Sequence, residues 1–218
     1  MTQVLAFDVN ETLLDLSVLD EPFEELFGTP ASRPLWFAQM LQLSFVGGLT
    51  GSYVDFTTAQ RAALRMVAQR NNVVLTDEQV EHTVALMTSL PPHPDVPAAL
   101  ARLAETSLRL VALTNSVQDV AEAQLRNAGI RDFFDRVMSA DSVRHLKPAR
   151  EPYLAVADAF AVPVGEIRLI AAHAWDVSGA LEAGCRAAFL SRPGMVPSPI
   201  GPRPDLIAGT SPNWSARS

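Results

Sequence analysis

The sequence predicts an α/β protein, with a Rossmann-like, doubly wound parallel sheet as its core and a helical cap inserted into that core. A short apolar segment, residues 4–7, runs straight into an acid, as a buried strand of a parallel sheet does. Residues 17–90 then have the pattern of helix throughout. From residue 98 onward, helical and apolar segments alternate in the order that favours a right-handed parallel sheet.

The first strand ends at a candidate functional acid. The segment Val4-Leu5-Ala6-Phe7 is followed by Asp8, and the pattern turns polar within three positions. Open α/β sheets bind their ligands at the carboxyl ends of the strands, which is where Asp8 is placed. A lone carboxylate here also fits a helix N-cap, so the first strand alone leaves both interpretations open.

The inserted part is predicted to contain three helices after a mixed stretch. Residues 33–46 form the first, and Gly47-Gly48 and Gly51 are expected to break it. Residues 55–70 form the second. The third opens with a capping box at Thr76-Asp77-Glu78-Gln79 and extends to about residue 90.

The core resumes after a stiff, proline-rich connector at residues 91–97. We expect, in chain order, helix 98–105, strand 108–113, a helix between Ser116 as N-cap and Gly129, strand 135–139, helix 151–160, strand 167–172, a helix ending at Gly184, and strand 187–190. The proline-rich tail from Arg192 is expected to be irregular. These boundaries assign residues 1–16 and 91–218 to the core domain and residues 17–90 to a cap subdomain.

Composition limits the possible partners. With 218 residues, 48% of them apolar and 19% charged, the chain has the make-up of a soluble globular protein. Its net charge of −7 argues against nucleic acid and anionic membranes as main partners. The single Cys185 excludes an intramolecular disulfide. No secretory signal and no membrane-length apolar run is visible, so we expect a cytoplasmic protein.

Polar side chains follow four of the predicted strands, and such strand ends converge on one crevice in a doubly wound sheet. These residues are Asp8, Asn10 and Thr12; Thr114 and Asn115; Lys147; and His173 and Asp176. A lysine beside an aspartate keeps that acid ionised and nucleophilic, and a second carboxylate can prepare water. Taken singly, Lys147 fits a solvated loop lysine, Asp176 a helix N-cap and His173 an ordinary loop histidine. Their coincidence at four strand ends favours a catalytic site.

These segments resemble the four motifs of the haloacid dehalogenase superfamily. The matching segments are Phe7-Asp8-Val9-Asn10-Glu11-Thr12-Leu13, Leu113-Thr114-Asn115, Lys147-Pro148 and Trp175-Asp176. Three details resemble the type II (S)-2-haloacid dehalogenases: Asp8 has no acid two residues on, Tyr153 follows Lys147 by six positions, and Ala174-Trp175-Asp176 follows the fourth strand. The resemblance covers nearly the whole chain, including the cap.

The resemblance also separates two reaction classes. Phosphatases of the superfamily use a second acid two residues after the nucleophile and a Mg²⁺ held partly by an acid after the fourth strand. Here those places hold Asn10, which cannot act as a general acid, and Ala171. A halide leaving group needs no proton, so dehalogenation without metal or cofactor is expected. A phosphate-ester hydrolase with residual Mg²⁺ binding and a non-catalytic small-acid-binding relative remain the alternatives.

The resemblance implies a role for each residue. Asp8 attacks C2 of a small haloacid, water activated with help from Asp176 cleaves the ester, and Asn115 faces the halide. Thr12, Thr114 and Lys147 hold or balance the carboxylates, while Tyr153 orients Lys147 or Asp8. Asn10, Phe37 and Trp175 complete the expected substrate contacts. The relatives also suggest a homodimer through the cap helices.

The sequence departs from the family pattern at two points. Phe37 stands where the family has an arginine that serves halide and substrate binding, and a phenyl ring cannot replace a guanidinium. Ala171 and His173 stand where the family usually has serine and asparagine. We expect Phe37 to point into the site and His173 to orient or deprotonate water.

Overall fold

The computed structural model describes residues 1–209, and within that range six parallel strands form one sheet. The strands are β1 Val4–Phe7, β2 Arg109–Thr114, β3 Arg136–Ser139, β4 Ile167–Ala171, β5 Arg186–Ser191 and β6 Leu206–Gly209. Their order is β3-β2-β1-β4-β5-β6. The chain therefore winds outward in both directions from β1, and the carboxyl end of β1 is the switch point at which such sheets bind ligands.

Eight α-helices accompany these strands over residues 1–209. They are α1 Asp20–Phe27, α2 Ser32–Thr50, α3 Phe56–Arg70, α4 Asp77–Ala85, α5 Val96–Ala104, α6 Gln118–Asn127, α7 Arg150–Phe160 and α8 Ala174–Ala183. Short 3₁₀ turns cover residues 16–19, 86–89, 131–133, 140–143 and 164–166. Helices α1 to α4 all lie between β1 and β2 in the chain, where the sequence predicts an insertion.

The strand β1 is apolar on both faces because it separates two cores. Leu5 and Phe7 pack in the core shared with α5, α6 and the inserted helices. Val4 and Ala6 pack in the other core, with α7 and α8. Helices on both faces of a parallel sheet confirm the predicted α/β class.

Helix α2 differs from the prediction, because it continues through Gly47-Gly48 and ends at Gly51, whose φ is 72°. A Cβ at Gly47 would lie 2.8 Å from the carbonyl oxygen of Ser52, so the returning chain packs directly on this glycine. Glycine thus serves a close approach here and does not end the helix. The predicted capping box of α4 is present, with Thr76 as N-cap and Gln79 at the third position.

Two other local predictions are wrong. Val117, not Ser116, precedes α6, and Ser116 instead receives a hydrogen bond from Asn10. The tail is not irregular throughout, because Leu206–Gly209 forms β6 beside β5. The rest of the predicted tail from residue 210 lies outside the described range. Across residues 1–209, every helix is too short or too polar to cross a membrane.

Candidate active site

A buried lysine joins two buried aspartates at the centre of the strand ends. Lys147 Nζ donates to Asp8 Oδ1 at 2.9 Å, to Asp176 Oδ2 at 2.6 Å and to the carbonyl oxygen of Leu113 at 2.8 Å. Both Lys147 and Asp176 have 0% of their surface exposed. Lys147 is also the only lysine in the sequence. All the other lysine-or-arginine positions of the chain hold arginine. This single lysine was a signal that Lys147 is not an ordinary solvated loop residue, and the sequence analysis missed it.

The environments of the two aspartates move their pKa values apart. Burial by itself would raise the pKa of Asp8, but Lys147, His173 and the Thr12 hydrogen bond together hold it below its ordinary value. For Asp176, burial and the nearby charge of Asp8 raise the pKa despite Lys147. Burial opposes the charge on Lys147, yet the two carboxylates raise its pKa. Asp8 is thus an ionised nucleophile, and Asp176 is the carboxylate better able to take up a proton.

Tyr153 lies beneath this cluster and contacts Asp176. Its hydroxyl donates to Asp176 Oδ1 at 2.5 Å, so the predicted orienting of Lys147 would act through Asp176 and not through a direct contact. The hydroxyl reaches this place because α8 passes close by at Gly179, where a Cβ would lie 2.8 Å from the Tyr153 oxygen. Burial and the adjacent carboxylate raise the pKa of Tyr153, which keeps the phenol a neutral donor.

Thr12 ties the nucleophile to the neighbouring strand. Its hydroxyl donates to Asp8 Oδ2 at 2.6 Å and accepts from the backbone N–H of Ala172, just after β4, at 2.9 Å. The turn after β1 is therefore fixed to the end of β4. Thr114, by contrast, accepts from the Ser116 N–H at 3.1 Å and shapes the turn after β2.

Asn115 holds the backbone of Lys147 with both ends of its amide. Asn115 Oδ1 accepts from the Lys147 N–H at 2.7 Å, and Nδ2 donates to the Lys147 carbonyl oxygen at 3.1 Å. The Asn10 amide is also engaged, because Oδ1 accepts from Gln124 Nε2 at 2.9 Å. Gln124 was not predicted as part of the site; a glutamine facing inward among the apolar positions of α6 was the available signal.

Four aromatic rings run along one wall of the site. Phe37 stacks on His173 at 5.6 Å between ring centroids, and His173 stacks on Trp175 at 5.3 Å. Phe45 then meets the Trp175 ring at 5.4 Å, edge to face. Phe37 and Phe45 come from α2, so this row of rings joins the inserted helices to the start of α8.

These residues enclose a cavity of about 10 Å³. It is lined by Asp8, Asn10, Phe37, Leu41, Phe56, Thr114, Asn115, Lys147, His173 and Trp175. Leu41 and Phe56 were not predicted. Three of the predicted site residues do not line the cavity and can influence it only through the residues that do. They are Thr12, Tyr153 and Asp176. Ligand pockets typically measure ~300–1,000 Å³, so this cavity is much smaller than most of them.

The donor set offers little to a metal ion. Within residues 1–209, His, Cys, Asp and Glu side chains form no group of three or more suited to hold one. Ala171, at the end of β4, brings only a methyl group. The site is instead a lysine-centred ion cluster with one carboxylate facing a small cavity.

Comparisons with known proteins agree with this geometry. A family model described as haloacid dehalogenase-like hydrolase matches residues 2–184. The (S)-2-haloacid dehalogenase of Pseudomonas sp. (strain YL) is 30% identical over 205 residues, which cover 92% of this chain and 88% of that protein. The haloacetate dehalogenase H-2 of Moraxella sp. (strain B) is 27% identical, covering 94% and 92%. The structure of L-2-haloacid dehalogenase from Xanthobacter autotrophicus superposes with a TM-score of 0.89 at 25% identity, covering 95% and 94%.

Proposed function

The chain belongs to the haloacid dehalogenase-like hydrolases, and we propose that it hydrolyses the carbon–halogen bond of short 2-haloalkanoic acids through an ester on Asp8. The observation that carries the proposal is an ionised Asp8 that faces the cavity while Lys147 and Thr12 hold its two oxygens. Similar proteins named for (S)-2-haloacids and haloacetate support the substrate class.

In the first half-reaction, a carboxylate oxygen of Asp8 attacks C2 of the haloacid. The new C–O bond forms as the carbon–halogen bond breaks, and the halide leaves with the bonding pair. The lowered pKa of Asp8 supplies the ionised nucleophile, and the halide takes no proton. An amide at Asn10, engaged with Gln124, suits a reaction without a general acid at this place.

In the second half-reaction, water attacks the side-chain carbonyl carbon of the Asp8 ester. The water gives one proton to the base, and the bond between that carbon and the ester oxygen breaks. The departing alkoxide oxygen takes the second proton of the water and leaves as a 2-hydroxy acid, while Asp8 returns to a carboxylate. Asp176, whose pKa is raised, is the proposed proton acceptor. Because Lys147 and Tyr153 each bond one of its oxygens, Asp176 takes the proton by relay: the Lys147 ammonium gives a proton to Asp176 Oδ2, and the amine so formed takes the proton from water.

The remaining roles follow from position. We assign residues 17–90 to a cap over the core, whose described part comprises residues 1–16 and 91–209, and Phe37 brings this cap to the substrate. Thr114, Asn115 and Trp175 line the substrate space.

Exposed apolar side chains on α2, namely Leu35, Val46 and Leu49, suit a homodimer through the cap helices. We place the enzyme in the cytoplasm, acting without metal or cofactor.

The test is halide release from (S)- and (R)-2-chloropropionate and chloroacetate, with EDTA or Mg²⁺ present. A generic phosphate ester is assayed beside them, and the Asp8→Asn variant controls for contaminating activity. Halide release that survives EDTA is the expected result. Mg²⁺-dependent phosphate release without halide release would support the phosphatase alternative, and neither activity would support the non-catalytic one.

A further inference from the structure

Glu11 lies three residues beyond the nucleophile in a backbone conformation that favours glycine. Its φ is 60°, in the left-handed region where a Cβ is disfavoured. The side chain is mostly buried between two basic residues: Oε1 is 3.4 Å from Arg33 Nη1, and Oε2 is 3.5 Å from His173 Nε2. A non-glycine residue persists in this region when its surroundings hold it there, and such residues cluster at functional sites.

Three oxygens surround the same nitrogen of His173. Nε2 lies 3.2 Å from the carbonyl oxygen of Asn10, 3.5 Å from Glu11 Oε2 and 3.9 Å from Asp8 Oδ2. A carbonyl oxygen only accepts, so Nε2 carries a hydrogen and donates it to Asn10. The nitrogen that faces Asp8 is therefore a donor. It cannot also take a proton from water, as the sequence analysis had allowed.

Both faces of the imidazole are covered by aromatic rings. Phe37 lies on one face, with 15° between the planes, and Trp175 on the other, with 24°. This stacking fixes the plane of the imidazole between the inserted helix α2 and the start of α8. The acids that face it, Asp8 and Glu11, come from the turn after β1.

The basic groups packed around His173 have carboxylate partners of their own. Lys147, from the loop before α7, is paired with Asp8 and Asp176. Arg33, from α2, is paired with Glu11 and Asp20. Neither is left as an unbalanced cation against the imidazole.

We infer that His173 binds the carboxylate of the substrate through its Nε2–H, which the substrate shares with the Asn10 carbonyl oxygen in a three-centre hydrogen bond, and that Glu11 and Arg33 are positioning residues for its imidazole. The inference rests on the proposed 2-haloacid function and names the recognition group of that site. Phe37 has no charge to offer, and Arg33, one turn earlier on the same helix, does not line the cavity. His173 does line it, so an anion brought to Asp8 lies beside its N–H.

The first experiment compares steady-state kinetics of wild type, His173→Gln and Glu11→Gln on (S)-2-chloropropionate. A charge-assisted hydrogen bond is worth ~10- to 100-fold in binding, so His173→Gln should raise KM by that factor with kcat within about threefold. His82→Gln, an exposed histidine on α4, is the matched control.

If Glu11 positions the imidazole, its substitution should also raise KM, but by less than the substitution of His173. Glu11→Gln should raise KM by roughly three- to tenfold with kcat unchanged, since the N–H remains but its carboxylate partner is gone. Because this variant keeps His173, it tests the inference even if His173→Gln does not fold. A fall in kcat without a change in KM, in either variant, would contradict the inference and assign His173 to the water step.

The second experiment measures equilibrium binding of propionate, an unreactive carboxylate, with propionamide as its uncharged match. His173→Gln should lose ~10-fold or more in propionate affinity and keep its affinity for propionamide. If the wild type releases no halide, yet His173→Gln binds propionate more weakly than the wild type does, the proposed dehalogenation is wrong and the carboxylate site stands. If halide is released but His173→Gln binds propionate as tightly as wild type, the inference is wrong and the proposed function stands.

Discussion

The hydroxyl of Tyr153 and the ammonium of Lys147 divide the carboxylate of Asp176 between them, one on each oxygen. The distances are 2.5 Å to Oδ1 and 2.6 Å to Oδ2. Asp176 therefore has no oxygen directed at the cavity, and whatever it contributes to catalysis reaches Asp8 through Lys147. The position of Lys147 in turn depends on Tyr153, which never touches it.

Removing the Tyr153 hydroxyl should reveal this indirect role. Tyr153→Phe leaves Asp176 Oδ1 buried without a partner, which costs ~1–3 kcal/mol of unfolding free energy. We expect kcat to fall by about 10- to 100-fold, with KM changed little, because the substrate does not contact this hydroxyl. Steady-state kinetics and urea unfolding give the two quantities.

The control for that change is Tyr53→Phe, since Tyr53 is the other tyrosine of the chain and its hydroxyl donates to Asp141, outside the cavity lining. It should leave kcat near the wild-type value. Equal losses in the two variants, or a loss confined to KM for Tyr153→Phe, would contradict the indirect role.

Asp8→Asn should abolish turnover while the protein stays folded. An amide is a far weaker nucleophile than a carboxylate, yet it fills the same space and still offers an oxygen to Lys147. In wild type, a single turnover in ¹⁸O-labelled water should place the label in Asp8 and leave the first product unlabelled. Mass spectrometry of the peptide containing Asp8 measures this. Label that appears directly in the 2-hydroxy acid would contradict the ester route.

The catalytic cluster was predictable from sequence because topology alone brings it together. In a parallel sheet the ends of β1 and β4 lie side by side, so residues that follow those strands are neighbours whatever their side chains do. Asp8 and Asp176 needed no further information, whereas Lys147, in the loop after β3, also has to reach past the end of β2. Their burial and the three-way contact at Lys147 Nζ follow from that placement.

The orientation of individual polar side chains was not predictable, because several hydrogen-bond partners lie within reach of each one. Both ends of the Asn115 amide bond the Lys147 backbone, although the family resemblance implied a contact with halide. Gly47-Gly48 reads as a break in any helix, and only the approach of Ser52 explains why α2 continues through it. Tertiary contacts decide such cases, and they leave no periodic trace in the sequence.

Lys147→Met should destabilise the protein by ~3–5 kcal/mol at pH 7, because it leaves two buried carboxylates without their cation. With the lysine gone, burial dominates at Asp8 and its pKa rises above its ordinary value of 3.8. A group with a raised folded-state pKa contributes stability below its unfolded pKa and loses it as pH rises. The variant should therefore become more stable from pH 7 to pH 5.

In the wild type the pKa of Asp8 is lowered, so its effect on stability changes with pH in the opposite direction. The stability that Asp8 contributes is present above about pH 3.8 and is lost only as the pH falls through the lower folded-state pKa. Urea unfolding at pH 5 and pH 7 measures both proteins, and Arg61→Met, which breaks an exposed pair with Glu81, is the surface control. A variant whose deficit does not shrink at pH 5 would mean that the two carboxylates are not buried together.

The contact between Phe37 and His173 sets up a final prediction, because the residue at the family's arginine position is stacked directly on the imidazole proposed to bind the carboxylate. In Phe37→Arg alone, a longer side chain must fit against this imidazole in a cavity of about 10 Å³, so we expect no gain in binding of (S)-2-chloropropionate. In His173→Asn alone, the imidazole N–H proposed to bind the carboxylate is lost, and KM should rise by ~10-fold or more. The double variant has the arginine beside a smaller side chain, and its KM should return to within a few-fold of wild type. Neighbouring residues that share one task are coupled in this way, and a double-mutant cycle on KM measures the coupling. Additive effects, or a tenfold tightening by Phe37→Arg alone with no loss in His173→Asn, would mean that the imidazole does not hold the carboxylate.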